Sequence, residues 1–188
     1  MRFVPLETLH VKQVVSQPRQ TFKAEIAARE LELMAAGRAE ALLVDDHASG
    51  PEGRAVAVAG LVNCGFGVGR AWALFSTDIP RAAWPLLVKR MRRAMDDELS
   101  SGRLHRISAE TVLDWPEGHR LLLALGMKFE GPMRGAIAGG LHGALYARVA
   151  ARISPLPVRA AALIEIAERC LWEDTLHKPA PWLDRRAA

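Results

Sequence analysis

The chain has 188 residues and a formal charge of +4, enough for one domain with a single core. Half of its residues are hydrophobic and 24% are charged, the profile of a globular protein rather than a disordered one. No apolar run approaches the ~18 residues of a membrane helix, and the opening MRFVPLETLHVKQ carries charges where a secretion signal has its apolar centre. The two cysteines, Cys64 and Cys170, stand far apart and read as buried or free thiols of a reducing compartment, not a disulfide. No set of histidines and cysteines falls at metal-binding spacing. A soluble cytoplasmic protein is therefore expected. The basic run Lys89, Arg90, Arg92 and Arg93 is followed at once by Asp96, Asp97 and Glu98. That local compensation reads as the solvated face of a helix, so neither nucleic acid nor membrane is an expected partner.

Taken in chain order, Arg2 to Leu6 predicts a short strand, with a helical turn before residue 16. Pro18 opens a helix over residues 19–36, on which Phe22, Ile26, Leu33 and Met34 recur at helical spacing, and Gly37 stops it. Ala41 to Asp45 is a strand, 46–53 a turn-rich loop, and Arg54 to Val62 a buried strand. Asn63 to Gly69 connects it to a partner strand, Trp72 to Ser76. The clearest helix carries the stripe Trp84, Val88, Met91, Met95 and Leu99 and ends at Gly102. A strand over Arg103 to Val112 leads to a helix over Glu117 to Leu125, with Asp114 or Trp115 near its cap, Pro116 in its first turn and Gly126 after it. Met127 to Gly131 is a strand, Gly135 to Gly143 a glycine-rich turn, and Ala144 to Val149 the last strand.

Beyond Ala151 the composition changes. Pro155 and Pro157 precede a helix on which Val158, Ala162, Ile166 and Cys170 fall at i+4 steps, and a Pro- and Trp-containing tail ends at Trp182 and beyond. The division expected is 1–150 as a domain and 151–188 as a helix and tail. This segment is expected either to dock, on a second copy of the chain or on another protein, through Trp172 and Trp182, or to pack back on its own sheet.

The order strand, helix, three strands, helix, strand, helix and two strands resembles that of the GNAT N-acetyltransferases. In that family a helix of the form N-x-x-A-x-x-L-Y-x-x-x-G-F precedes the final hairpin. Here Trp115-Pro-Glu-Gly-His119-Arg-Leu-Leu-Leu-Ala-Leu-Gly126-Met127-Lys-Phe129-Glu-Gly131 stands in its place. With the ending Tyr146-Ala147-Arg148, this version is most similar to the GNAT-like proteins of tailed bacteriophages and prophages. The resemblance covers about residues 1–150. It implies an α/β (α+β) fold: a central mixed, mostly antiparallel sheet flanked by helices.

The resemblance also implies acetyl-CoA as cofactor, its diphosphate held by backbone N–H groups of a glycine-rich loop at the start of the central helix. The corresponding stretch is Ser76-Thr-Asp-Ile-Pro-Arg-Ala-Ala-Trp-Pro85, so the expected cofactor contacts are Phe75, Ser76, Thr77 and Arg81. The stretch has no glycine, two prolines, and a carboxylate at Asp78 that reads equally well as a helix N-cap. The tyrosine that protonates the departing thiolate in the family is replaced by Leu122, and the only tyrosine, Tyr146, lies in the last strand. His105, Glu110, Asp114 and His119 are candidate general bases, with Glu110 and His119 preferred, and each has a structural reading beside the catalytic one. Cys64 reads as a hairpin thiol rather than a nucleophile. Two functions stay open: an acetyl-CoA-dependent N-acetyltransferase with a degenerate cofactor loop, or a catalytically inactive structural or assembly protein of a phage or prophage, associated with the virion.

Overall fold

The computed structural model describes residues 1–15, 17, 20, 38–44 and 53–151. The expected helix over 19–36, the loop before Gly53, Cys170 and the whole of 152–188 lie outside the described residues. The chain divides between Arg93 and Ala94 into two compact units.

The first unit carries β1 (Arg2–Pro5), α1 (Thr8–Gln13), β2 (Arg38–Val44), β3 (Arg54–Asn63) and β4 (Val68–Phe75). β1 pairs with β2, β2 with β3 and β3 with β4, all antiparallel. β3 is rich in Val and Ala, and Ala55 to Val58 are fully buried. Ala55 and Val58, together with Val14, Ala41, Leu43, Trp72 and Leu74, form a core cluster, against which Val4, Leu6 and Val11 pack. Burial of such side chains stabilises the fold by roughly 25 cal/mol per Å² of apolar surface. β2 starts three residues earlier than expected. Its polar opening, Arg38 to Glu40, is held by the ladder to Leu61, Gly60 and Ala59, which strand propensity does not report.

The helix α2 (Ala83–Ser100) runs through the division between the units. Of the expected stripe, Trp84 and Met95 are buried, while Val88, Met91 and Leu99 are only partly so; Leu87, one step from Val88, is buried instead. Trp84 packs its ring on Phe75, with centroids 5.1 Å apart. Arg90 makes a two-pronged ion pair with Glu40 of β2 and lies over the Phe3 ring.

The second unit carries the end of α2, β5 (Arg106–Val112), α3 (Pro116–Ala124), β6 (Lys128–Ile137) and β7 (Leu141–Val149). β7 lies between β5 and β6 and pairs antiparallel with both. β5 starts three residues later than expected, because the chain is still winding off α2. Gly102 takes φ +74°, the Leu104 N–H donates to the Glu98 carbonyl, and Arg103 pairs with the Glu98 carboxylate at 2.8 Å. The glycine-rich turn is narrower than expected. β6 continues through Gly135 to Ile137, the turn is Ala138–Gly140, and Gly143 is already inside β7 opposite Val112.

Two glycines fix α3. A side chain on Gly118 would place a Cβ 2.1 Å from Thr111 Oγ1, so its absence lets the helix lie against β5. Gly126, at φ +75°, closes the other end: its N–H donates to the Leu123 carbonyl and that of Met127 to Leu122, satisfying two terminal carbonyls. Seven strands, antiparallel within each unit and flanked by helices, make this the mixed α/β fold the sequence implied.

The burial pattern revises where a charge is least tolerated on α2. Leu87→Asp and Met95→Asp are each expected to unfold the chain, since an unpaired buried charge costs several kcal/mol against a total stability of about 5–15 kcal/mol. Met91→Asp is expected to fold with a lowered melting temperature. Thermal melts followed by circular dichroism check the order, which reverses if Met91 is the deeper residue.

Candidate functional site

The residues expected to hold the cofactor lie at the end of β4 and in the turn that follows. Phe75 and Ser76 are buried, while Thr77 and Arg81 are exposed. The backbone N–H groups of Phe75, Ser76 and Thr77 have partners within the first unit. The Phe75 N–H donates to Gln20 Oε1 at 3.0 Å, that of Ser76 to the Val56 carbonyl at 2.8 Å, and that of Thr77 to the Val15 carbonyl at 2.9 Å.

Asp78 is not a helix cap, because α2 begins five residues later. Its carboxylate accepts the Ser76 hydroxyl at 2.5 Å and pairs with both terminal nitrogens of Arg54, the nearer at 2.5 Å. The Ser76 hydrogen bond, followed by the Arg54 pair, holds its carboxyl below the usual carboxylate range.

The N-terminus of α2 is equally occupied. The Ala83 N–H donates to the Pro80 carbonyl at 2.9 Å and that of Trp84 to the Arg81 carbonyl at 3.3 Å, while Pro85 has no N–H. Of the four amide groups that a helix leaves open at this end, three have nothing to offer an anion. A diphosphate would also meet the Asp78 carboxylate. The residues present do not form a diphosphate cradle.

The catalytic candidates lie in the second unit. Glu110 is half-buried on β5, opposite Leu145 of β7. His105 and Asp114 are exposed at the two ends of that strand. His119, in α3, is fully buried, and both of its ring nitrogens are engaged. Nε2 lies 2.8 Å from the Leu113 carbonyl oxygen, which can only accept, so Nε2 carries a proton. Burial lowers the affinity of the ring for a second proton, leaving Nδ1 to accept the Tyr146 hydroxyl at 2.7 Å. Leu122, where the family resemblance places a tyrosine, is buried in the core.

The motif that carried the resemblance proves to be a set of mutual contacts. Tyr146 bonds to His119 and packs edge-on against Phe129, with centroids 5.5 Å apart. Arg148, two residues on, donates to the Leu125 carbonyl at the end of α3 at 3.1 Å and pairs with Asp96. Glu130 forms a two-pronged ion pair with Arg106 of β5.

The chain matches an acetyltransferase of the GNAT family from Bacillus anthracis with a TM-score of 0.58, at 13% identity over 78% of this chain and 93% of that one. The fold is that of the GNAT acetyltransferases. The ribosomal-protein-S5-alanine acetyltransferase of Vibrio fischeri matches at TM-score 0.51 and 16% identity, covering 71% of this chain and 73% of that one. A spermidine N-acetyltransferase variant of Vibrio cholerae matches at 0.52 and 11%, covering 81% and 96%. No family model matches the sequence, and no curated protein does either.

Two residues at the GNAT-fold β4 end were not foreseen: Gln20 and Arg54. Both act across more than twenty positions of sequence, and nothing local marks them.

The His119 contacts have a consequence for pH. The folded ring takes a proton less readily than the unfolded one, whose pKa is the usual 6.5. As pH falls through 6.5 the unfolded chain therefore binds protons that the folded chain refuses, and stability declines. The melting temperature of the wild type is expected to drop between about pH 7.5 and 5.5. His119→Gln should melt lower at neutral pH but with a flatter profile over that range. Parallel profiles would mean that His119 is protonated in the folded state.

Proposed function

We propose that this chain is a GNAT-fold, acyltransferase-like protein that has lost its coenzyme A cradle and serves a phage or prophage particle as a structural or assembly protein. The observation that carries the loss is the turn after β4. The Phe75, Ser76 and Thr77 amides are bonded inside the chain, and Asp78 stands there as a carboxylate clamped by Ser76 and Arg54. An arriving diphosphate would have to break these bonds and face a negative charge, with Pro85 supplying no donor. The phage context is supported by the pattern running from His119 to Arg148 and its similarity to GNAT-like phage proteins. Residues 152–188 are the segment we assign to docking, on a second copy or on particle proteins.

A second reading keeps the enzyme: transfer of an acetyl group from acetyl-CoA to an amine, with Glu110 as base and Arg81 contacting phosphate. What favours it is that the structural neighbours are described as acetyltransferases. The two readings differ in a simple assay. Acetyl-CoA at ~1 mM is expected to leave the melting temperature unchanged, whereas a ligand at a hundred times its Kd adds about 2.7 kcal/mol. No thiol should be released with polyamine or peptide amines as acceptors. A saturable shift accompanied by thiol release would establish the enzyme. Sedimentation of the tagged protein with phage particles is expected on the first reading and not on the second.

A further inference from the structure

The ladder between β3 and β4 fixes which way each residue of β4 faces. The Ser76 N–H donates to the Val56 carbonyl and the Cys64 N–H to the Val68 carbonyl, so the even-numbered residues turn their backbone groups toward β3. The odd-numbered residues Ala73 and Phe75 turn theirs to the other edge. Both are buried, so these groups need partners. One side chain supplies two of them. Gln20, 2% exposed, donates its Nε2 to the Ala73 carbonyl at 3.2 Å and accepts the Phe75 N–H on Oε1 at 3.0 Å. The Gln17 N–H adds a bond to the Phe75 carbonyl at 3.3 Å.

A carboxamide that donates to one strand residue and accepts from the next but one does what a single residue of a neighbouring parallel strand would do with its own N–H and C=O. Gln20 is fifty-three and fifty-five residues away from the two groups it serves, so this contact is not a by-product of local chain geometry. Of the side chains that bond to backbone, most serve turns and helix ends near them in sequence. Here a full amide is delivered, buried, to a strand edge.

We infer that the second edge of β4 at Ala73 and Phe75 is an amide-binding site filled by the chain's own Gln20, which shuts out small ligands bearing secondary amides. The inference rests on the reading of a lost cradle, and deepens it. The turn refuses the charged end of such a ligand, and Gln20 refuses its uncharged amide arm. The site takes an extended chain with successive secondary amides, one lending its N–H and the next its C=O, only when the Gln20 carboxamide is gone. The two hydrogen bonds released to a ligand together amount to more than a tenfold change in affinity.

Pantetheine is the probe, because it carries two secondary amides and no phosphate and so ignores the cradle. Wild type and Gln20→Ala are titrated with it by calorimetry. The expected result is at least about tenfold tighter binding to the variant. Equal binding to both, or to neither, overturns the plug. Acetyl-CoA binding by the wild type with thiol release would overturn the lost-cradle reading instead, whatever the variant does. Should Gln20→Ala not fold, hydrogen exchange in the wild type still decides. The Phe75 amide is expected to be protected as strongly as that of Ser76, and rapid exchange at Phe75 overturns the plug.

Discussion

A buried backbone N–H needs an acceptor, and at the end of β4 the chain provides every acceptor itself. Val56 serves Ser76, Val15 serves Thr77 and the Gln20 side chain serves Phe75. The turn beyond repeats the arrangement. Pro80 and Arg81 carbonyls take the Ala83 and Trp84 N–H groups, and Asp78 is tied to Ser76 and Arg54. In a GNAT fold this is the neighbourhood where backbone donors are held open for a cofactor, according to the family resemblance. Here the Phe75, Ser76 and Thr77 amides are bonded inside the chain. One substitution does not explain this. A glycine-free turn, two prolines, a clamped carboxylate and a delivered carboxamide act together.

The second unit tells a related story. His119, Phe129, Glu130, Gly126, Tyr146 and Arg148 make the sequence recognisable, and they are joined to one another or to neighbouring elements by hydrogen bonds, ion pairs and ring packing. Tyr146 and Arg148, two apart on β7, reach the body and the end of α3. His119 gives one nitrogen to Tyr146 and the other to Leu113, and has none left for a substrate. Such a network resists substitution because losing one member strands a buried polar partner, at about 1–3 kcal/mol. The pattern therefore has an architectural role.

Much of the fold was legible in the sequence because its signals are local. The i+4 stripe of α2, Pro116 at the start of α3 and Gly126 after it placed those helices to within a residue or two. Strand ends were read less well. β2 and β7 extend through polar or glycine residues that only the neighbouring strand holds in place, and β5 starts late because Arg103 and Leu104 bond back to Glu98. Leu87 was missed because a single stripe through Val88 ignored the width of the buried face. At the site, the missing glycine and the leucine at position 122 were visible as residue identities. Gln20 and Arg54 were not, since their partners lie more than twenty positions away and no spacing rule connects them. Asp78 was read as a cap because a carboxylate before a proline-led helix fits that role. Its actual partner, Arg54, belongs to a different strand.

The central claim is that the amides of Ser76, Thr77, Ala83 and Trp84 are closed to a cofactor by the bonds they make inside the chain. It is tested most directly by following the backbone amides of Ser76, Thr77, Ala83 and Trp84 in a nitrogen-15 NMR titration with coenzyme A. The account predicts that these signals stay where they are up to millimolar ligand and that their exchange with solvent remains slow. A saturable movement confined to these four amides would show that they release their internal partners for the diphosphate, and would contradict it.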